Sequence, residues 1–423
     1  RQMSAPRLPQ GFRKLSAAER RAALRDTLGL SDDQLAADAA YVDLADVMVE
    51  SSVGIMPVPE GIAAGFLIDG ETYDVPLATE EPSIIAAATY AARIVSRAGG
   101  FATHADEPVM TAQVFLEGED PHAITERLDA ARGQLEEIAR EGLERMAARG
   151  GGFRALRVET VPGPGAGLVK VEIDVDVRNA MGANLLNTLA ERIKHEAGRL
   201  SEARGLMAVL TNSARRRRAR AEFAVPTSRL ARADFSGEEA ARRIVLATAA
   251  ADADPDRAVT HNKGVMNGIT SLALATANDT RAIEAAAHAW AARSGAYRSL
   301  TSYSVDGEYL RGSIELPLAF ATVGGAVSFH PAAQRALALL GTPDAATLSR
   351  IAAALGLAQN FAAVYALVSE GIQHGHMRLH ARRVAYTAGA RGQQIHEIGR
   401  TMWERSEISE DVARRLLAEE GRR

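Results

Sequence analysis

The stretch IAAALGLAQNFAAVYALVS, residues 351 to 369, runs without Asp, Glu, Lys or Arg. A segment this long and apolar has two physical fates: it crosses a bilayer, or it forms the central helix of a core around which the rest of the chain packs. Gln359 and Asn360 stand at its centre and alanine dominates it, so a buried core helix is the better reading. An amide such as Asn360 costs free energy inside a core unless it is hydrogen-bonded, so it has either a helix-to-helix partner or a ligand. The second charge-free run, 316 to 334, contains Pro317, Gly324, Gly325 and Pro331 and cannot be one regular helix.

With 423 residues, two or three domains are expected. Net charge of −4 gives no general pull toward nucleic acid or anionic membrane, and the lack of cysteine excludes disulfides, thiolate metal ligands and a cysteine nucleophile. Charged residues punctuate the first 30 positions, so no signal-peptide pattern is read there, and a cytoplasmic protein is expected.

The texture of the chain changes twice. Residues 15 to 48 read as short helices with Ser16 and Ser31 as N-caps, followed by strand, turn and helix through YDVPLATEEPSIIAAATYAARIVSRAGG, with Pro82 in the first helical turn. Between 108 and 213 the pattern becomes strand (MTAQVFLEG), helix (122 to 149), strand (GLVKVEIDVDV, apolar at every second position), helix (181 to 200) and strand (GLMAVLTN). After 236 it is mainly helical again, with Ser236 and Glu239 as a capping box, Asn278 or Asp279 as a cap, and a hairpin at Asp306 and Gly307. The fold class expected is α+β. A large, mainly helical domain (1–107 and 214–371) carries an inserted ferredoxin-like α/β domain (108–213), and a helical segment (372–423) follows.

Chemistry concentrates in few places. THNKGVMNGITSLALATANDTR, residues 260 to 281, isolates Lys263 among small, apolar and amide residues, with Asp279 the next charge and the expected partner. Glu81 sits at a strand-to-helix junction. VRNAMGANLL opens a helix that could receive a phosphate, but lacks the G-x-G-x-x-G spacing of an ordinary dinucleotide turn; a tight turn needing small residues is the local reading. RRRR at 215 to 218 reads as a solvated face. Of His374, His376 and His380, the last two are four apart and could share a helix face as zinc ligands do, but no carboxylate or third histidine stands at a recognisable metal spacing, so a single histidine acting as proton donor is favoured and no metal is expected.

The segments RLPQGF, ESSVGIMPVPEGIA, EEPSIIAAA, VRNAMGAN, HNKGVMNG, NDTRAIEA, VGGA, GLAQN and GHMRLHARR, in this order, resemble the bacterial, class II form of 3-hydroxy-3-methylglutaryl-coenzyme A reductase over nearly the whole chain. The resemblance implies interconversion of 3-hydroxy-3-methylglutaryl-CoA with mevalonate and CoA, using two NADH or NADPH. It implies Glu81, Lys263, Asp279 and His376 as catalytic residues. Lys263 would hold the developing oxyanion, Asp279 would keep it charged and oriented, Glu81 would exchange protons with the same oxygen, and His376 would protonate the CoA thiolate from a mobile C-terminal lid. Substrate contacts carried over are Ser83, Arg257, Asn267, Asn360 and, toward CoA, Arg13. Contacts to the nicotinamide cofactor are Asn179, Met181, Gly182, Ala183, Asn184 and Asn212. A homodimer or an assembly of dimers, with sites between subunits, is implied. Two departures stand out: Asn179 replaces a usual Asp and Ser52 a usual Asn. An acid that would disfavour NADPH aligns near Leu143, with Arg145 close by, so both cofactors stay open. The alternatives are a catabolic enzyme oxidising mevalonate and a non-catalytic descendant of the fold.

Overall fold

The computed structural model describes residues 15–28, 41–165, 167–232, 235–369 and 373–420. Along the chain come α1 (Ala17–Leu28), α2 (Val42–Met48), β1 (Glu60–Ile68), β2 (Glu71–Ala78), α3 (Ile84–Ser96) and β3 (Ala102–Ala105). The next unit comprises β4 (Val109–Glu117), α4 (Pro121–Ala130), α5 (Arg132–Gly142), α6 (Glu144–Ala147), β5 (Gly152–Val161), β6 (Leu168–Asp176), α7 (Ala183–Ser201) and β7 (Arg204–Leu210). Then follow β8 (Arg218–Pro226), α8 (Gly237–Ala253), α9 (Pro255–Ala275), α10 (Thr280–Ala291), β9 (Thr301–Asp306), β10 (Tyr309–Pro317), α11 (Pro331–Leu339) and α12 (Ala345–Val368). The last three helices are α13 (Gln373–Thr387), α14 (Gln393–Glu404) and α15 (Glu410–Glu420).

The charge-free run is α12, and it is the axis of the largest core. Every residue from Ile351 to Ala362 is buried, and 78% of its most apolar window lies inside the protein. Asp344 caps its start by accepting from the Thr347 amide. The helix packs against α9, α3 and the antiparallel sheet β3-β8-β10-β9. Close approach to α9 depends on glycine: a Cβ on Gly356 would stand 2.6 Å from Ile269 Cδ1, and one on Gly268 3.1 Å from Leu355 Cγ.

Residues 109 to 210 build a separate core on one face of the antiparallel sheet β5-β6-β4-β7, a β-α-β-β-α-β connection. Two expectations are corrected here. The helix expected over 122 to 149 is three, interrupted at Ala131 and at Leu143, where ψ moves to 6° and 10°. Strand β5 went unread, because Arg154, Arg157 and Glu159 obscure its alternation; Arg157 is tied across to Asp174 and Glu172 on β6. A third cluster, formed by Ala381, Ala385, Ile398, Met402, Ala413 and their neighbours, holds α13, α14 and α15 together.

The arginine run is not one solvated face. Arg217 is buried and donates to the carbonyls of Ala180 and Phe320, joining the turn before α7 to the segment that leaves β10. Arg218 pairs with Asp106 and Glu315, and Arg216 with Asp174. Ser16 forms its capping box with Glu19, whereas Ser31 lies outside the described residues. Pro82 precedes α3 instead of opening it; Ser83, at a left-handed φ of 74°, is the N-cap.

Candidate active site

Lys263 lies mid-way along α9, on the face that also presents Arg257, Thr260, His261, Gly264 and Asn267 to one cavity of about 760 Å³. The opposite wall comes from the β2–α3 junction with Glu81, Pro82 and Ser83, and the floor from Gln359, Asn360 and Ala363 of α12. Arg232, Tyr90 and Tyr365 close one end, and Leu379 and Arg382 of α13 lie at its edge. Among the described lining residues Glu81 is the only acid, set against Lys263, Arg257, Arg232 and Arg382, so the cavity favours an anionic ligand.

The Lys263 Nζ donates to Glu81 Oε2 at 2.7 Å. Within one chain the partner of Lys263 is therefore Glu81 and not the expected Asp279. From Lys263 to the end of α9 the axis rises about 18 Å, beyond any side chain's reach, and Asp279 follows that end. Asp279 caps α10 through the Ala282 amide and lies 3.6 Å from Arg281. The lysine is also not dry within one chain, since 57% of its side chain and 36% of that of Glu81 are exposed.

Arg257 borders the cavity and makes no hydrogen bond or ion pair among the described residues. Ser83 holds its left-handed turn at the cavity wall, a conformation of the kind that concentrates at functional sites. Asn360 is committed internally: its Oδ1 accepts from Thr301 Oγ1 at 3.0 Å and Tyr303 Oη at 2.8 Å, and its Nδ2 donates to the His261 carbonyl at 3.0 Å. One amide N–H is left for a ligand. Burial pushes the Tyr303 phenol well above its usual range and, with Arg257 nearby, brings His261 down to about 4.

Asp279 stands beyond the C-terminal end of α9, at the start of α10. Its neighbour Asn278 exchanges hydrogen bonds with the backbone of Ala321, and the adjacent Thr322 amide donates to the Asn179 carbonyl. Asn179 Oδ1 accepts from the Ala345 amide, so this side chain ties the turn to the start of α12. Gly182, at φ 88°, begins α7; a Cβ there would meet Val177 Cγ1 at 2.6 Å. No side chain caps α7, leaving its first amides open to a phosphate, and Ala183, exposed Asn184 and half-buried Met181 surround that end. Asn212 is exposed in the turn after β7. Leu143 is core, at 1% exposure, whereas Arg145 is on the surface. Ser52 is buried and donates to Asp46.

Arg13 lies outside the described residues. His376 falls within α13, one turn before Leu379, and its side chain and that of His374 also lie outside them; His380 is exposed. Sequence reasoning missed His261, Gln359 and Arg232. His261 had a signal, standing four residues after Arg257 on the same helical face; Arg232 had none, since its place between Tyr90 and Tyr365, 5.5 and 4.7 Å from their ring centres, is purely tertiary.

Comparison with known proteins gives the family. A curated relative from Archaeoglobus fulgidus, a 3-hydroxy-3-methylglutaryl-coenzyme A reductase, is 40% identical over 99% of this chain and 95% of its own length. A probable reductase of the same name from Borreliella burgdorferi is 35% identical over 90% of this chain and 87% of its own length. The class II enzyme of Streptococcus pneumoniae, solved bound to NADPH in open conformations, superposes with a TM-score of 0.75 at 38% identity, covering 96% of this chain and 99% of that one. A second structure of the pneumococcal reductase gives 0.76 at the same identity, covering 97% of this chain and 99% of its own. With the family profile matching residues 16–381, the chain belongs to the hydroxymethylglutaryl-coenzyme A reductase family.

Proposed function

We infer that this chain reduces 3-hydroxy-3-methylglutaryl-CoA to mevalonate and free CoA, consuming two nicotinamide dinucleotides and two protons. The observation that carries the reading is the 2.7 Å Lys263–Glu81 pair opening onto a cationic cavity beside Arg257 and Ser83. Arg257 receives the substrate carboxylate, which a guanidinium grips bidentately. Ser83, Asn267 and the free N–H of Asn360 orient the acyl chain, and Arg13 contacts CoA.

Bound nicotinamide supplies hydride to the thioester carbon and then to the aldehyde carbon. Lys263 neutralises the oxygen that becomes anionic each time, and Glu81, hydrogen-bonded to that ammonium, gives that oxygen a proton after each hydride and takes the first one back as the hemithioacetal collapses to the aldehyde. His376, on α13, protonates the departing thiolate. The dinucleotide phosphates suit the uncapped start of α7, with Asn179, Met181, Gly182, Ala183, Asn184 and Asn212 around them. The NADPH bound by the pneumococcal relative favours NADPH over NADH here.

Asp279 acts on the lysine of a second copy. Two observations support a two-chain site: Asp279, whose neighbour Asn278 is tied through Ala321 and Thr322 to the turn before α7, is out of reach of Lys263 within the chain, and an apolar surface is exposed on β1 and the segments before it. Met56 is 86% exposed, and Val47, Val49 and Ile62 are each more than half exposed, which is the makeup of a covered interface. Covering the cavity would also dry the half-exposed ion pair.

The test follows NADPH and NADH absorbance with purified protein and 3-hydroxy-3-methylglutaryl-CoA, then the reverse reaction with mevalonate, CoA and each oxidised cofactor. Turnover with release of free thiol is expected. No turnover in either direction with either cofactor contradicts the reading.

A further inference from the structure

Among the described residues six buried side-chain nitrogen or oxygen atoms have no hydrogen-bond partner, and three of them, His261 Nδ1, Gln359 Oε1 and Arg232 Nε, belong to residues lining the one cavity. Buried polar atoms are rarely left unpaired, so the cavity is built to be completed by a polar ligand. His261 is the most constrained of the three. It is 2% exposed, and its Nε2 stands 2.7 Å from Thr301 Oγ1. Thr301 has one hydroxyl proton, which we place on Asn360 Oδ1, 3.0 Å away; that oxygen's identity follows because the amide nitrogen donates to the His261 carbonyl. The imidazole therefore donates from Nε2, and Nδ1 presents a lone pair.

Resting on the reductase reading, we propose that His261 Nδ1 accepts a hydrogen bond from the 3-hydroxyl of the substrate and selects for it. Order along α9 supports this. With 1.5 Å of rise per residue, His261 lies about 6 Å beyond Arg257 and Lys263 about 3 Å further. The acyl chain presents carboxylate, tertiary hydroxyl and thioester carbonyl in the same sequence. Arg257, one turn away, and burial both disfavour a second ring proton, so Nδ1 stays an acceptor through the neutral range. A site that pairs a substrate hydroxyl rejects the analogue lacking it, because the acceptor is then left buried and unpaired.

The experiment compares 3-hydroxy-3-methylglutaryl-CoA with 3-methylglutaryl-CoA, which has no hydroxyl, by calorimetric binding to the intact protein and by competition in the rate assay. Wild type should prefer the hydroxylated ligand by about tenfold or more. In His261→Gln the amide nitrogen keeps the Thr301 bond and nothing replaces Nδ1. That variant should bind the hydroxylated ligand about tenfold more weakly, hold the deoxy ligand unchanged, and raise KM more than it lowers kcat. His261→Asn, which sets an amide oxygen at the Nδ1 position, should recover part of the preference. Equal binding of the two ligands by wild type overturns the proposal, as does a His261→Gln protein that loses both equally or keeps the full preference. Those results leave turnover by wild type intact, whereas absence of wild-type turnover overturns the reductase reading instead.

Discussion

Lys263 and Glu81 are held together, yet within one chain more than half of the lysine side chain faces water. An ion pair so exposed is worth at most about 1 kcal/mol to the fold, so stability does not explain it. Lys263→Ala should therefore shift Tm by less than about 3 °C while lowering kcat at least about a hundredfold. Calorimetry and single-turnover rates check the two halves separately. His261 behaves oppositely. Its folded value near 4 lies below the ordinary 6.5, so between those pH values the unfolded chain binds a proton that the native chain refuses. Stability is then lost as pH falls through this window, by up to about 3 kcal/mol, and is fully present above it. Urea titrations of wild type and His261→Gln from pH 7 to 4 should show that slope only in wild type. His376→Gln should slow thioester reduction far more than reduction of added mevaldehyde; equal slowing removes the thiolate role.

At the scale of elements, much was legible because one physical signal dominated. Of the two fates open to the charge-free run from 351 to 369, its central amides favoured burial in a core, and α12 is buried. Capping chemistry placed the starts of α8 and α10 at Ser236 and Asp279. Legibility failed where tertiary contact overrides local pattern. Strand β5 is polar because its arginines meet β6 carboxylates, and no window of sequence shows a partner strand. The candidate site divides in the same way. Lys263 stood out by its isolation among small and apolar residues, and Arg257 and Asn267 only through the family resemblance, while the pairing of Lys263 with Glu81 within the chain follows only from how α9 passes the β2–α3 junction. The α9–α12 contact makes a further prediction. Gly356→Ala forces a methyl into Ile269 and Val265 and should cost about 1–3 kcal/mol in chemical denaturation.

For the whole molecule, the separation of Asp279 from Lys263 is the consequential feature. Lys263, Glu81, Arg257 and Ser83 line one cavity, whereas Asp279 follows the C-terminal end of α9, near the turn that starts α7. Helices α13 to α15 keep their own small core, with Arg383 donating to the Glu80 carbonyl next to the β2–α3 junction. Amide exchange in this unit should be faster than in α9 and α12 and should slow when substrate and cofactor are added together. The central claim is that a working site needs Lys263 from one chain and Asp279 from another. Lys263→Ala and Asp279→Ala proteins, each inactive alone, are to be unfolded, mixed in equal amounts and refolded. Half of the dimers are then mixed, and half of the sites in those are intact, so about a quarter of wild-type activity should return. If both residues instead acted within one chain, every site would carry a defect, and the mixture would stay as inactive as its components.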